Sequence, residues 1–272
     1  MKKRIIAAAA LLPLLLVVVL VLPKIFTGVL VGMMAAIGAY ELLWSTQLVR
    51  VPRLVAYSAA FALLTGIWCS LGMDYGWAIL GIIVFVCLLF TEMMLSHAKL
   101  SFEKIGITLF GGLVMPFLMT ALVRIQSGEF GRFFIMIPFI MAFLSDTGAY
   151  FTGRAFGKHK LAPVISPNKT VEGVIGGVLG GIIGMMLYAL ILQLGFQFTV
   201  NYAVAALYGA VGSLAAVFGD LCFSVIKRQT GIKDYGNLIP GHGGILDRFD
   251  SMCVVAPLAE ALLLLIPMAV KV

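Results

Sequence analysis

Apolar runs of about 20 residues recur along this chain, near positions 5–22, 25–44, 54–73, 75–95, 105–124, 132–152, 172–194, 200–220 and 251–270. A run of that length crosses the ~30 Å hydrocarbon core of a bilayer as a helix. In lipid, a helix satisfies its own backbone hydrogen bonds. The weak ten-residue alternation of an outer-membrane barrel is absent. The pattern predicts an all-α integral membrane protein of about nine transmembrane helices. The spans take up most of the sequence, so any chemistry has to be built from helix ends and short loops.

Composition agrees. Of the 272 residues 62% are hydrophobic and 11% charged, and the mean hydropathy is +1.10; a soluble domain carries about 25% charged residues. Met1-Lys2-Lys3-Arg4 and the apolar run behind it resemble a signal peptide, but no small-residue cleavage site follows, so a retained first helix is expected. Cys69, Cys87, Cys222 and Cys253 show neither CxxC pairing nor His spacing and read as small apolar residues.

Charge changes the picture by giving it two sides. Fifteen of the 19 Lys and Arg fall in alternate connections: Lys2, Lys3, Arg4; Arg50, Arg53; Lys99, Lys104; Arg154, Lys158, Lys160, Lys169; Lys227, Arg228, Lys233, Arg248. Lys24, Arg124, Arg132 and Lys271 fall on the other side. The positive-inside rule then puts the N-terminus and the two long loops, 153–171 and 221–250, in the cytoplasm. The net charge of +7 is first a topology signal; no nucleic-acid partner is expected.

Three constellations carry candidate chemistry. Asp146, in Ser145-Asp146-Thr147-Gly148, lies inside the sixth span, where a carboxylate is expensive unless paired or wetted. It reads either as a site residue or as a helix-to-helix hydrogen-bonding group. Ser166-Pro167-Asn168-Lys169-Thr170 precedes the seventh span. It reads either as an anion site at a helix N-terminus or as ordinary capping by Asn168 or Thr170. The third is Gly219-Asp220 leading into Ser224–Asp250, where Lys227, Arg228, Lys233, Asp234, His242, Asp247, Arg248 and Asp250 crowd into 27 residues. Hard carboxylate oxygens without Cys or paired His suit Mg²⁺. Lys and Arg grip phosphate oxygens, and Gly241, Gly243 and Gly244 let backbone approach a ligand. A network of loop salt bridges is the bland alternative. Gly176, Gly177, Gly180, Gly181 and Gly184 predict a smooth face for close helix packing.

The residues Ser224-x-Ile226-Lys227-Arg228-x4-Lys233-Asp234-x-Gly236-x2-Ile239-Pro240-x-His242-Gly243-Gly244-x2-Asp247-Arg248-x-Asp250 resemble the signature of the phosphatidate cytidylyltransferase (CDP-diacylglycerol synthase) family. Asp146-x-Gly148-Ala149-Tyr150, Gly157-Lys158-His159-Lys160 and Ser166-Pro167-x-Lys169-Thr170 resemble its upstream motifs. The likeness covers roughly Asp146 to Asp250; the earlier residues match only as hydrophobic spans. Phe223 departs from it, since many members carry an acid before the serine.

The resemblance implies a nucleotidyltransferase in phospholipid biosynthesis. CTP and phosphatidic acid would give CDP-diacylglycerol and pyrophosphate, with Mg²⁺ and room for a second metal ion. Asp220 and Asp247 would hold the metal, helped by Asp146 or Asp250. Lys227, Arg228, Lys233 and Arg248 would hold the triphosphate and the lipid phosphate. His242, with Gly243 and Gly244, would position a phosphate or the nucleotide, and Ser224 counts with the substrate-binding groups. Ser166, Asn168, Lys169 and Thr170 would form a second anion site. Cations and metal fit the task, which is to bring two polyanions together and stabilise a leaving pyrophosphate.

The expected organisation is N-terminal transmembrane helices over 1–104, a central span over 105–131 suited to packing or to a homodimer contact, and a C-terminal catalytic region over 132–272. The active site is expected at the cytoplasmic edge of the cell (inner) membrane. Two other readings compete: a CTP-dependent polyprenol kinase, which would release CDP, and a transporter with Asp146 and the glycine-rich helix lining its path.

Overall fold

The computed structural model describes residues 13–97, 99–238 and 243–271. Among them seven helices are long and apolar enough to cross a membrane. The chain is a helical, multi-pass membrane protein. It forms two compact units: the part up to Glu129 together with Gln229–Phe249, and Phe130–Arg228 together with Asp250–Val272.

The first unit holds α1 (13–20), α2 (Lys24–Ser45), α3 (Pro52–Leu71), α4 (Tyr75–Leu95) and α5 (Phe102–Ser127). Glycine brings α2 and α3 into backbone contact: a Cβ on Gly32 would stand 2.7 Å from the Leu63 carbonyl, and one on Gly66 would overlap the Gly28 carbonyl. Lipid is as apolar as the helices, so such close packing replaces hydrophobic burial as the source of adhesion. Pro52 opens α3, and Gly72, at φ +64°, ends it in the left-handed conformation that glycine adopts without strain. Leu43, Val49, Leu54, Phe85, Leu89 and Ile105 form a core. Of α4 only Phe85 and Leu89 are buried. Met93 packs against that core as well, and most of the other apolar side chains of α4 are exposed, which suits lipid. Gly111 and Gly112 pack inside the unit, against Leu42 and Leu43 and against Ser58 and Phe85.

The second unit holds α6 (Gly131–Phe156), β1 (Lys160–Ala162), β2 (Ser166–Thr170), α7 (Val171–Phe196), β3 (Phe198–Val200), α8 (Tyr202–Gln229), α10 (Met252–Leu265) and β4 (Ala269–Lys271); α9 (Leu246–Phe249) belongs to the first unit. The glycine face of α7 packs as expected. Gly180 stands against Leu144 of α6, a Cβ there falling 2.7 Å from its carbonyl, and Gly181 stands against Gly209 and Ser213 of α8. Two short antiparallel ribbons, β1–β2 and β3–β4, add to the helical expectation.

Three expectations change in detail. Of the first span, 5–22, residues 13–20 form α1 and residues 5–12 lie outside the described residues. The run at 251–270 is a 14-residue helix, about 21 Å long, with Pro257 inside it, followed by a strand. It nevertheless returns the chain to the far end of the unit, where β4 pairs with β3 and Tyr208 donates to the Ile266 carbonyl at 3.0 Å. Finally, α8 runs to Gln229, so residues 221–229, expected in a loop, are helical.

Candidate functional site

In the second unit the longer α8 decides the geometry. Asp220, Ser224 and Lys227 stand at i, i+4 and i+7, one face of a helix. The Ser224 hydroxyl donates to Asp220 Oδ1 at 3.2 Å, and Lys169 Nζ, from β2, forms an ion pair with Asp220 Oδ2. Lys227 is 8% exposed and Asp250 is 7% exposed. Gly219 lets the chain after α9 lie against α8: a Cβ there would stand 3.0 Å from Ser251 Cα. Burial, with the charges of Asp220 and Asp146 added, pushes the Asp250 carboxyl above the usual carboxylate range; Lys227 and the Ser251 N–H pull the other way. Asp146 lies ten residues before the end of α6 and Asp220 nine before the end of α8, each about 15 Å from its helix end.

The β1–β2 ribbon is tied down locally. Arg228 Nε donates to the Ile165 carbonyl at 3.0 Å. The Glu172 carboxylate accepts from the backbone N–H of Lys158 and His159 and faces His159 Nδ1 at 2.6 Å. Thr170 caps α7, its hydroxyl accepting from Gly173 N–H at 3.1 Å. Ser166 is half-buried and Asn168 exposed. Phe223, where the resemblance broke, is a core residue at 4% exposure.

In the first unit Asp247 Oδ2 accepts from Tyr235 N–H at 2.8 Å and Gly244 N–H at 3.0 Å, folding the loop back on itself. Gly243, at φ +84°, makes that turn, and a Cβ there would meet Asp247 Oδ2 at 2.8 Å. Lys233 and Arg248 are exposed. His242 and Gly241 lie outside the described residues.

Residues 2–266 match the profile described as the cytidylyltransferase family. The chain belongs to that family. The cytidylyltransferase match spans both units. The chain is similar to the phosphatidate cytidylyltransferase of Bacillus subtilis (strain 168), 34% identical over 271 residues, with 97% of this chain and 98% of the relative covered. It is 44% identical over 134 residues to the phosphatidate cytidylyltransferase of Staphylococcus haemolyticus (strain JCSC1435) and 46% identical over 138 residues to that of Staphylococcus aureus (strain COL). There the match spans about half the length of each relative.

For a cytidylyltransferase the donor chemistry of the second unit suits a hard divalent cation. Asp146, Asp220 and Asp250 offer only oxygen, and a cation would offset the charge that weighs on buried Asp250. Among the described residues no group of three His, Cys, Asp or Glu is drawn together as a ready-made metal cage. One buried acid escaped the sequence reading. Glu41, 3% exposed at the end of α2, accepts from Ile245 N–H and Leu246 N–H. The signal that found Asp146, an acid inside an apolar run, was present for Glu41 too.

Proposed function

We propose that this chain transfers the cytidylyl group of CTP to phosphatidate, giving CDP-diacylglycerol and pyrophosphate. The observation that carries the reading is the α8 face, where Asp220, Ser224 and Lys227 meet Lys169 and Asp250, in a chain whose family is cytidylyltransferase. The full-length likeness to the Bacillus enzyme supports the choice of lipid phosphate as acceptor.

The phosphatidate phosphate is already ionised near neutral pH, so its oxygen attacks the α-phosphorus of CTP without a strong general base. The bond from that phosphorus to the β-phosphate bridge breaks, and its electrons leave with pyrophosphate. In the second unit Lys227 and Lys169 supply cations for phosphate oxygens; in the first, Lys233 and Arg248 are the exposed cations that its loop offers to phosphate. Asp220 and Asp250, with Asp146, would hold Mg²⁺, which supplies Lewis-acid stabilisation of phosphate charge when bound. Asp247 shapes the loop that bears Lys233 and Arg248. Ser166 and Asn168 lie on β2 beside Lys169, and Thr170 keeps the start of α7 in place. Burial of Lys227 and Asp250 strengthens the charge interaction between them.

The topology that fits has nine crossings, counting 5–22 and the short α10, with the N-terminus and the chemistry on the cytoplasmic side of the inner membrane. The basic connections support it. So do the pairings inside the second unit: β3 with β4 at one end, and Lys169 with Asp220 toward the other.

Labelled CTP tests the reaction. Label in the α-phosphate is expected to enter the lipid, with pyrophosphate released. Transfer of γ-label to lipid with release of CDP would contradict it.

A further inference from the structure

We propose that Glu41 is a positioning residue for the phosphate-binding loop, a role that rests on the cytidylyl-transfer reading above. Its carboxylate sits in a π-helical turn, Glu41–Ser45, that ends α2. Such widened turns recur at functional sites. Oε1 accepts from Ile245 N–H at 3.0 Å and Oε2 from Leu246 N–H at 2.8 Å, so both oxygens hold backbone more than 200 positions away in sequence.

The loop is cut to fit that carboxylate. A Cβ on Gly236 would stand 2.5 Å from Oε1, and one on Gly244 would overlap the carboxylate. Only glycine at both places lets the backbone close on Glu41. One turn earlier on α2, Gly38 leaves room for the Leu246 side chain, 3.7 Å from where its Cβ would be. Asp247 does the matching task inside the loop, accepting from Tyr235 and Gly244. Two carboxylates thus take four N–H groups of one loop, those of residues 235, 244, 245 and 246. Lys233, Asp234 and Arg248 hang from the backbone so fixed. A cavity of about 710 Å³ opens beside it, with Tyr40, Glu41, Asp234 and Asn237 among its walls. Glu41 is buried and engaged, so it acts through the loop and not on the reacting atoms.

Glu41→Gln is the decisive variant in the full-length purified protein. It keeps size and reach but turns one acceptor into a donor facing an N–H. Amide exchange at residues 245 and 246 is expected to quicken by about tenfold or more, the consequence of a buried N–H left without an acceptor. The loss of cytidylyl transfer is expected in the KM for CTP, with kcat changed less, while Glu103→Gln at the start of α5 changes neither. Unchanged exchange at 245 and 246 would overturn the proposal. So would faster exchange with an unaltered KM for CTP, which would leave Glu41 a merely structural group. A wild-type protein inactive on CTP and phosphatidate would overturn the reaction instead, and the exchange comparison would still decide the staple.

Discussion

Asp250 is buried beside two other carboxylates, and its carboxyl is held above the usual range by that burial and by Asp220 and Asp146. The folded form therefore keeps the proton to higher pH than the unfolded chain, whose value is about 3.9. Folded stability from this group is fully present below that value and is lost as pH rises through the folded pKa. In the metal-free protein, Asp250→Asn should raise Tm relative to wild type, little at pH 4 and increasingly toward pH 8, by about 2–4 °C per kcal/mol gained. Thermal unfolding in detergent with excess chelator measures it; a gain largest at low pH would contradict the assignment. Asp220, Ser224 and Lys227 were legible in the sequence through the concentration of charge and the family resemblance, while their shared helix face was not, because a loop was expected over 221–250. Glu41 carried the signal of an acid inside an apolar run, but its role was hidden, because its partners are backbone N–H groups about 200 residues on. The role of Asp247 in folding its loop was hidden for the same reason, since a carboxylate that binds backbone leaves no complementary side chain to find.

Helices were the legible elements: apolar runs announce themselves, and the glycine face of α7 predicted its packing. Their ends were not. The sequence places polar residues after position 220 and a loop was expected there, yet α8 continues, with Ser224 and Lys227 buried on the face that carries Asp220 while Arg228 and Gln229 are exposed. The ribbons β1–β2 and β3–β4 were invisible, since strands of three to five residues hold too few positions to show alternation. Packing at this scale makes a paired prediction. Gly148→Ala drives a Cβ into the Gly176 carbonyl, while Gly195→Ala near the end of α7 meets nothing within 4 Å. The first should destabilise by about 1–3 kcal/mol and the second should be neutral or slightly stabilising. Unfolding midpoints of the two variants compare them directly; equal losses would contradict the packing.

For the whole molecule the distribution of Lys and Arg predicts sidedness, and the pairing of β3 with β4 adds a constraint the charges alone lack. Residues 199 and 270 lie opposite each other in that ribbon, so α10 and its extended tail must return the chain to the side from which α8 began. Single cysteines at Thr199 and Val270, in a protein stripped of its four native cysteines, should both react with an impermeant reagent from the periplasmic side. A cysteine at Asn168 should react only from the cytoplasmic side. Mixed sidedness of 199 and 270 would break the topology.

The central claim is cytidylyl transfer built on the Asp220 cluster. Steady-state turnover of CTP and phosphatidate by wild type and Asp220→Asn, across a Mg²⁺ series, tests it most directly. Wild type should turn over only with Mg²⁺, and Asp220→Asn should fall by about 10²–10³-fold, the scale on which a charge-stabilising group is lost. Mg²⁺-independent turnover, or an Asp220→Asn protein as active as wild type, would contradict the account.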